Sequence, residues 1–152
     1  MSLRRAGAPA LAVAALALAA TGCGGSSSMP AQVLRTRAAR VCTVATQRLN
    51  AIPSPQVPSD GAPFLRRGIA ALRPELTALS AMHPGGELGV HFREARDATE
   101  QELKVLQSSL KGLKAGNDPI VAMKTLQTQL APREAQAGRA WRALGVRACA
   151  DT

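Results

Sequence analysis

Apolar side chains recur at alternating spacings of three and four residues along four segments of this chain. That spacing places them on one face of a helix, and no segment shows the strict alternation of a half-buried strand. The segments cover residues 31–52, 63–82, 87–115 and 119–144. We therefore predict four amphipathic helices and an all-α fold.

Helix-breaking residues separate the four segments. The run IPSPQVPSDGAP lies between the first two, HPGG between the second and third, and GNDP between the third and fourth. Asp118 is placed to cap the fourth helix, Pro119 suits its first position, and Gly145 suits its end. Short second and third connections favour antiparallel neighbours, which predicts an up-down-up-down four-helix bundle. Pro74 and Pro132 fall inside helices and are expected to bend them.

The N-terminus has the pattern of an export signal. Arg4 and Arg5 precede an apolar run over residues 8–20. That run has the length of a signal-peptide core, roughly 7–15 residues, and is shorter than the ~20 residues that span a bilayer. Small residues follow, and then Cys23. This arrangement resembles the lipobox of bacterial lipoproteins, in which the cysteine thiol receives a diacylglyceryl group and cleavage occurs just before it. Cleavage by ordinary signal peptidase is one alternative, and retention as an uncleaved helix is another.

The residues after Cys23 suit a membrane tether. The sequence GGSSS is polar and has no apolar pattern to pack, so we expect a flexible linker. Two acyl chains on one cysteine would give the stable anchoring that a single chain does not. We divide the chain into a cleaved lipoprotein signal peptide over 1–22, a lipidated cysteine and tether over 23–29, and a bundle domain over 30–152. The expected location is the extracytoplasmic face of the cell membrane, bound through the Cys23 lipid.

Two cysteines remain once Cys23 is assigned to the anchor. Cys42 and Cys149 lie near opposite ends of the mature chain, and an even pair in an oxidising compartment predicts a disulfide. Two buried free thiols are the alternative, while the sequence has no CxxC or Cys/His cluster that would favour a metal site. For Cys149 to reach the first helix, we predict that the tail after Gly145 is an extended strap.

The chain resembles a group of small, uncharacterised lipoproteins from bacteria of high-GC Gram-positive type. An exported leader, the segment AARVCTVATQRLNAIPSP and the closing AWRALGVRACAD carry the resemblance. The matching residues are Cys42, Asn50, Leu144, Gly145 and Cys149. The resemblance implies a disulfide-closed helical bundle, and it implies no particular function.

The sequence offers little catalytic chemistry. It contains no GxSxG elbow, glycine-rich phosphate loop or HExxH motif. His91 and Glu94 are spaced as two metal ligands, which is short of the three or four that a site needs. The carboxylates Glu94, Asp97, Glu100 and Glu102 alternate with basic residues, so we expect a solvated face. We therefore predict a non-enzymatic protein with no metal and no cofactor.

The mature chain is basic. Removing Arg4 and Arg5 from the 19 lysines and arginines leaves 17 basic residues against 10 acidic ones, a net charge of about +7. Nucleic acid is not an expected partner outside the cell, and the aromatic side chains that stack on bases are scarce. Anionic lipid headgroups or wall polymers are the expected polyanions, with charge that merely reflects a high-GC coding bias as the alternative. The arginines expected at such a surface are Arg35, Arg37, Arg40, Arg48, Arg139, Arg142 and Arg147.

These features lead to two functional hypotheses. The first is a lipid-anchored, non-catalytic bundle that acts as an interaction or scaffold module of the cell envelope, with an unknown envelope protein as partner. The second is a binding protein for a small apolar ligand inside the bundle, near Phe92 and Trp141. Trp141 is expected in the core, but an alanine-rich bundle with prolines inside its helices can leave a cavity where ligands bind.

Overall fold

A computed structural model of the protein describes residues 29–150, so the predicted signal peptide and the lipidation of Cys23 lie outside the described residues. The described chain is all-α, and each of the four predicted helices is confirmed within two residues of its predicted bounds. The four main helices are α1 Ala31–Asn50, α2 Gly61–Ser80, α3 Gly86–Lys114 and α4 Pro119–Leu144.

The predicted helix-terminal residues of α4 have the roles that their chemistry suggests. The Oδ1 atom of Asp118 accepts a hydrogen bond of 2.9 Å from the backbone N–H of Val121, and Pro119 occupies the first helical position. Gly145 ends the helix in the left-handed conformation, with φ of 73°. A side chain at that φ would be strained, which explains why the chain has glycine there.

Each main helix packs against its neighbour in sequence, α1 on α2, α2 on α3 and α3 on α4. The most deeply buried cluster gathers the start of α1, the end of α2, the start of α3 and the end of α4. Its largest members are Leu34, Leu79, Phe92, Trp141 and Leu144. Within the described chain, the backbones of α1 and α4 approach each other at few positions, and α5 packs against both helices.

Two connections close the molecule between its first and last helices. The Nε atom of Arg35 donates a hydrogen bond of 2.8 Å to the carbonyl oxygen of Leu144, which satisfies one of the free carbonyls at the end of α4. The predicted disulfide between Cys42 and Cys149 is confirmed, with the two Cα atoms 5.2 Å apart and 107 residues between them in sequence. Both cysteines are buried.

The prediction of an extended strap after Gly145 is wrong. The chain instead forms one helical turn, α5 Arg147–Ala150. The backbone N–H of Cys149 donates to the carbonyl of Val146 at 3.2 Å, so the turn satisfies backbone groups that a strap would leave open. The turn also brings the Cys149 sulfur to 3.6 Å from the Ala38 carbonyl oxygen on α1, close to the other half of the disulfide.

The two prolines inside helices lie on exposed faces, and the helices continue through them. Pro74 lies within α2 and Pro132 within α4. Each lacks the backbone N–H that would otherwise bond to the preceding turn, so the bends expected there stay a prediction. Between residues 29 and 150, no helix has both the length and the apolar character needed to cross a membrane.

Candidate ligand-binding cavity

A cavity of about 320 Å³ lies among the four main helices and α5. Residues of both α1 and α4, whose backbones approach each other at few positions, line it. Its walls are largely apolar, with side chains contributed by every main helix. The principal apolar side chains are Leu49, Leu65, Leu72, Leu106, Leu130 and Trp141.

Small residues leave this space open. Ala45 on α1, Gly68 on α2, and Ala137 and Gly138 on α4 all line the cavity. A Cβ atom added at Gly68 would meet no heavy atom of the described chain within 4 Å. A Cβ at Gly138 would lie 3.3 Å from the Ala150 carbonyl oxygen, so there the small residue permits the close approach of α5. Gly68 therefore borders empty volume, whereas Gly138 serves helix packing.

Three carboxylates line the same cavity, one from each of three helices. They are Glu75 on α2, Glu102 on α3 and Glu134 on α4. Glu75 and Glu102 are half-buried, whereas Glu134 is more exposed. Carboxylates in a mainly apolar cavity are placed where water cannot fully solvate their charge.

Burial raises the pKa of two of these carboxyls into the neutral range. Loss of solvation raises the pKa of Glu75 from 4.5 to about 7. The pKa of Glu102 also rises from 4.5 to about 7, mainly through burial and further through the negative charges of Glu134 and Glu75. At neutral pH each of the two carboxyls is therefore close to half protonated.

Arg133 is the basic residue that acts on this cluster. Its positive charge lowers the pKa of Glu102, but by less than burial raises it. The Nε atom of Arg133 is buried and has no hydrogen-bond partner among the described atoms. One guanidinium therefore acts on Glu102, and the cavity lining carries an excess of negative charge when all three carboxylates are ionised.

The two aromatic residues predicted for a pocket have different roles. Trp141 lines the cavity. Phe92 is fully buried and forms an edge-to-face pair with Trp141, with ring centroids 6.0 Å apart and planes inclined by 77°. Such an edge-to-face pair fixes the indole in place. Phe92 thus lies behind Trp141, outside the set of described residues that line the cavity.

The acidic residues predicted on a solvated face of α3 divide into two groups. Glu94, Asp97 and Glu100 pair with His91, Arg96 and Lys104 near the surface. The prediction is wrong for Glu102, which lines the cavity. A helix turns about 100° per residue, so Glu102 lies roughly 200° around the axis from Glu100. The cavity-lining residues at three- and four-residue spacing on either side, Thr99 and Leu106, give the correct face.

Sequence reasoning also missed Glu75, Arg133 and Glu134, although a signal was present for the two carboxylates. Glu75 follows Leu72 by three residues, and Glu134 follows Leu130 by four. Each carboxylate therefore occupies a position on a helix face that apolar residues otherwise fill. A carboxylate at such a position indicates a partly buried charge in the helix interface.

The predicted surface arginines lie on both α1 and the C-terminal part of the chain. Arg35 binds the end of α4 through its hydrogen bond to Leu144. Like Arg35, the other six are exposed, on α1, α4 and α5. These six are Arg37, Arg40, Arg48, Arg139, Arg142 and Arg147.

The predicted pair of His91 and Glu94 is on the surface, with the histidine Nδ1 and a carboxylate oxygen 3.2 Å apart. Within residues 29–150, no three His, Cys, Asp or Glu side chains converge in an arrangement that could hold a metal ion. Comparisons with protein-family models, with curated proteins and with solved structures find no match. The cavity is therefore the feature of the described chain that points to a function.

Proposed function

We propose that this protein is a non-catalytic binding protein for a small, largely apolar molecule held inside its helical bundle. The observation that carries the proposal is the cavity of about 320 Å³ with apolar walls, to which Trp141 contributes its indole. Pockets for small molecules occupy about 300–1,000 Å³ and combine such walls with a few polar groups. The cavity is at the small end of this range.

The energetics of packing favour a functional cavity over a packing defect. Apolar walls that touch no other atoms forfeit dispersion contacts, so leaving this space empty carries a cost in stability. Larger side chains at Ala45 or Gly68 would fill it, and Gly68 also weakens α2 by about 1 kcal/mol relative to alanine. A bound apolar molecule would restore the missing contacts.

Fluorescence of Trp141, the single tryptophan of the chain, gives a direct test. Phenylbutanol has a size suited to the cavity, and we expect it to change the emission of Trp141 saturably and to raise the melting temperature. Gly68→Leu should abolish both effects, because the new side chain enters the cavity. Gly68→Ala, which adds a single methyl group, is the matched control and should still bind.

The binding proposal fails if neither phenylbutanol nor a charged probe with the same phenylbutyl body causes a saturable change in the wild-type protein. It also fails if Gly68→Leu binds phenylbutanol as well as Gly68→Ala does, because the ligand would then occupy another place. Circular dichroism of the two variants checks that both keep the helical fold.

We further propose that the domain is an antiparallel up-down-up-down bundle, held at the extracytoplasmic face of the cell membrane by a lipid on Cys23. The hydrogen bond from Arg35 to Leu144 supports this topology, since it joins the first turns of α1 to the end of α4. The disulfide supports an oxidising compartment, where such bonds persist. Mass spectrometry of the protein from its native membrane tests the anchor, because acylation at Cys23 adds the mass of two or three acyl chains.

A second candidate function is docking on an anionic surface, either lipid headgroups or a wall polymer. The hydrogen bond between Arg35 and Leu144 joins the start of α1 to the C-terminus of α4. Arginines of both segments therefore lie on the side of the molecule where α1 begins. Each basic residue near a negatively charged membrane contributes about 1 kcal/mol. An anchored binding protein could use this end to orient its cavity.

Charge reversal tests the docking proposal. Arg139→Glu combined with Arg142→Glu should leave the fold intact and weaken binding to anionic liposomes at low salt. The matched control reverses Arg66 and Arg67, which lie near the start of α2. There Gly61 lies close to the end of α3 and the start of α4, so these two arginines are distant from the end of α4 that carries Arg139 and Arg142. Equal binding by both double variants and the wild type would refute surface docking at this end.

A further inference from the structure

The charges around the cavity indicate what kind of molecule it would bind. Three carboxylates, Glu75, Glu102 and Glu134, line it, and the guanidinium of Arg133 acts on Glu102. The residues that α1 and α5 contribute to the lining, among those the structure describes, are uncharged. Full ionisation of the cluster therefore leaves an excess of negative charge beside apolar walls.

We propose that the ligand of this cavity is a small apolar molecule that ends in a protonated amine, and that its ammonium group lies between the carboxylates of Glu75 and Glu102. This inference rests on the proposed function, because it specifies the ligand class of the same cavity. The carboxylates are the polar groups that would fix the ligand's orientation, while the apolar walls hold its body.

Charge complementarity favours a cation over an anion. A ligand carboxylate would meet three side-chain carboxylates and could pair only with Arg133, which already attracts Glu102. An ammonium group supplies three N–H donors, which can reach more than one carboxylate at once. Hydrogen bonds between charged donors and acceptors are about twice as strong as neutral ones.

The size of the cavity limits the ligand. A cavity of about 150 Å³ holds one benzene molecule. By proportion, the space of about 320 Å³ accommodates roughly a dozen non-hydrogen atoms. An aromatic ring on a short alkyl chain with a terminal amine meets this limit, and the ring can pack against Trp141.

Binding of an amine would be coupled to proton release. Without a ligand, each of Glu75 and Glu102 holds a proton part of the time near neutral pH, since their pKa values are about 7. An ammonium group bonds to the ionised carboxylates, so each O–H proton present beforehand passes to the solvent. Below about pH 7 the affinity should therefore fall up to tenfold per pH unit for each carboxyl that must ionise. Glu134 and Arg133 are the further charged groups that act on Glu102.

Three probes with the same body and different ends test the proposal in the full-length protein. Phenylbutylamine, phenylbutanol and phenylbutyrate are cationic, neutral and anionic at about pH 8. Titrations are followed by the emission of Trp141. We expect the amine to bind about tenfold more tightly than the alcohol at about pH 8, and the preference should disappear near pH 5.5 as the carboxyls are protonated.

Amide variants assign the preference to particular carboxyls. Glu75→Gln and Glu102→Gln should each lower the affinity for the amine at least about fivefold and leave the affinity for the alcohol within about twofold. Glu87→Gln, on the exposed first turn of α3, is the matched control and should change neither. Retained binding of the alcohol shows that each variant still folds.

The outcomes separate this inference from the function on which it rests. If the alcohol binds and the amine binds no more tightly at about pH 8, or if phenylbutyrate binds best, the amine proposal is overturned and the binding function stands. If none of the three probes changes the emission of Trp141, both are overturned. An amine preference that survives in both amide variants would also overturn the assignment to Glu75 and Glu102.

Discussion

Raising the pH from about 5 to about 8 should weaken the folded state, because Glu75 and Glu102 must then ionise inside the cavity. Both pKa values rise from 4.5 to about 7 on folding. The folded state therefore binds more protons than the unfolded state between these values. The stability that comes from holding the carboxyls neutral is fully present below about pH 4.5 and is lost as the pH rises through about 7.

The magnitude follows from the same pKa values. A pKa difference of one unit corresponds to about 1.4 kcal/mol, so each carboxyl accounts for roughly 3 kcal/mol at most. We expect the two together to lower the free energy of unfolding by about 3 to 6 kcal/mol across this range. That is a large share of the net stability of a small domain, which is about 5–15 kcal/mol.

Urea unfolding followed by circular dichroism at a series of pH values measures this loss. In the double variant Glu75→Gln/Glu102→Gln, both side chains stay neutral, so the pH dependence should flatten. The variant should match the wild type near pH 5 and exceed it by about 3 kcal/mol or more near pH 8. Glu87→Gln serves as the control and should follow the wild-type profile.

One result would refute this reasoning. If the wild-type free energy of unfolding is constant or rises between about pH 5 and pH 8, ionising the two carboxyls in the folded state costs no free energy. The same conclusion follows if the double amide variant keeps the wild-type slope. Both results would mean that water solvates the carboxylates in the folded state as well as in the unfolded one.

Two further predictions concern the frame around the cavity. Replacing Cys42 and Cys149 by alanine should lower the free energy of unfolding by about 3–5 kcal/mol, because the bond closes most of the described chain into one loop. Urea unfolding measures this loss of stability. A loss under about 1 kcal/mol would contradict the estimate from loop entropy. Gly138→Ala should lower the melting temperature and Gly68→Ala should raise it, since only the first brings a Cβ close to the backbone of α5. Equal shifts in the two variants would contradict the difference in packing between these glycines.

Local signals were sufficient to predict the helices. Asp118 and Gly145 mark the ends of α4 through hydrogen bonding and backbone conformation that depend on a few neighbouring residues. The number of cysteines and the export pattern predicted the pairing of Cys42 with Cys149. Neither inference needs knowledge of how distant helices pack.

The cavity could not be predicted to the same degree, because it depends on the distance between α1 and α4. Helical spacing places Gly68 and Trp141 on the apolar faces of α2 and α4. It does not show that an unfilled space lies between those two faces. The helical spacing alone would have placed Glu102 on the cavity face, because it lies on the same side of α3 as Thr99 and Leu106. The prediction instead grouped it with the neighbouring carboxylates, which are on the surface. The helical turn around Cys149 likewise depends on contacts with α1 that local pattern does not specify.

A crystal structure of the protein with phenylbutylamine tests the central claim most directly. The account predicts electron density for the probe in the cavity, with its ring beside Trp141 and its nitrogen within hydrogen-bonding distance of Glu75 and Glu102. A cavity closed by direct contact between α1 and α4, with the probe absent or bound elsewhere on the surface, would contradict it.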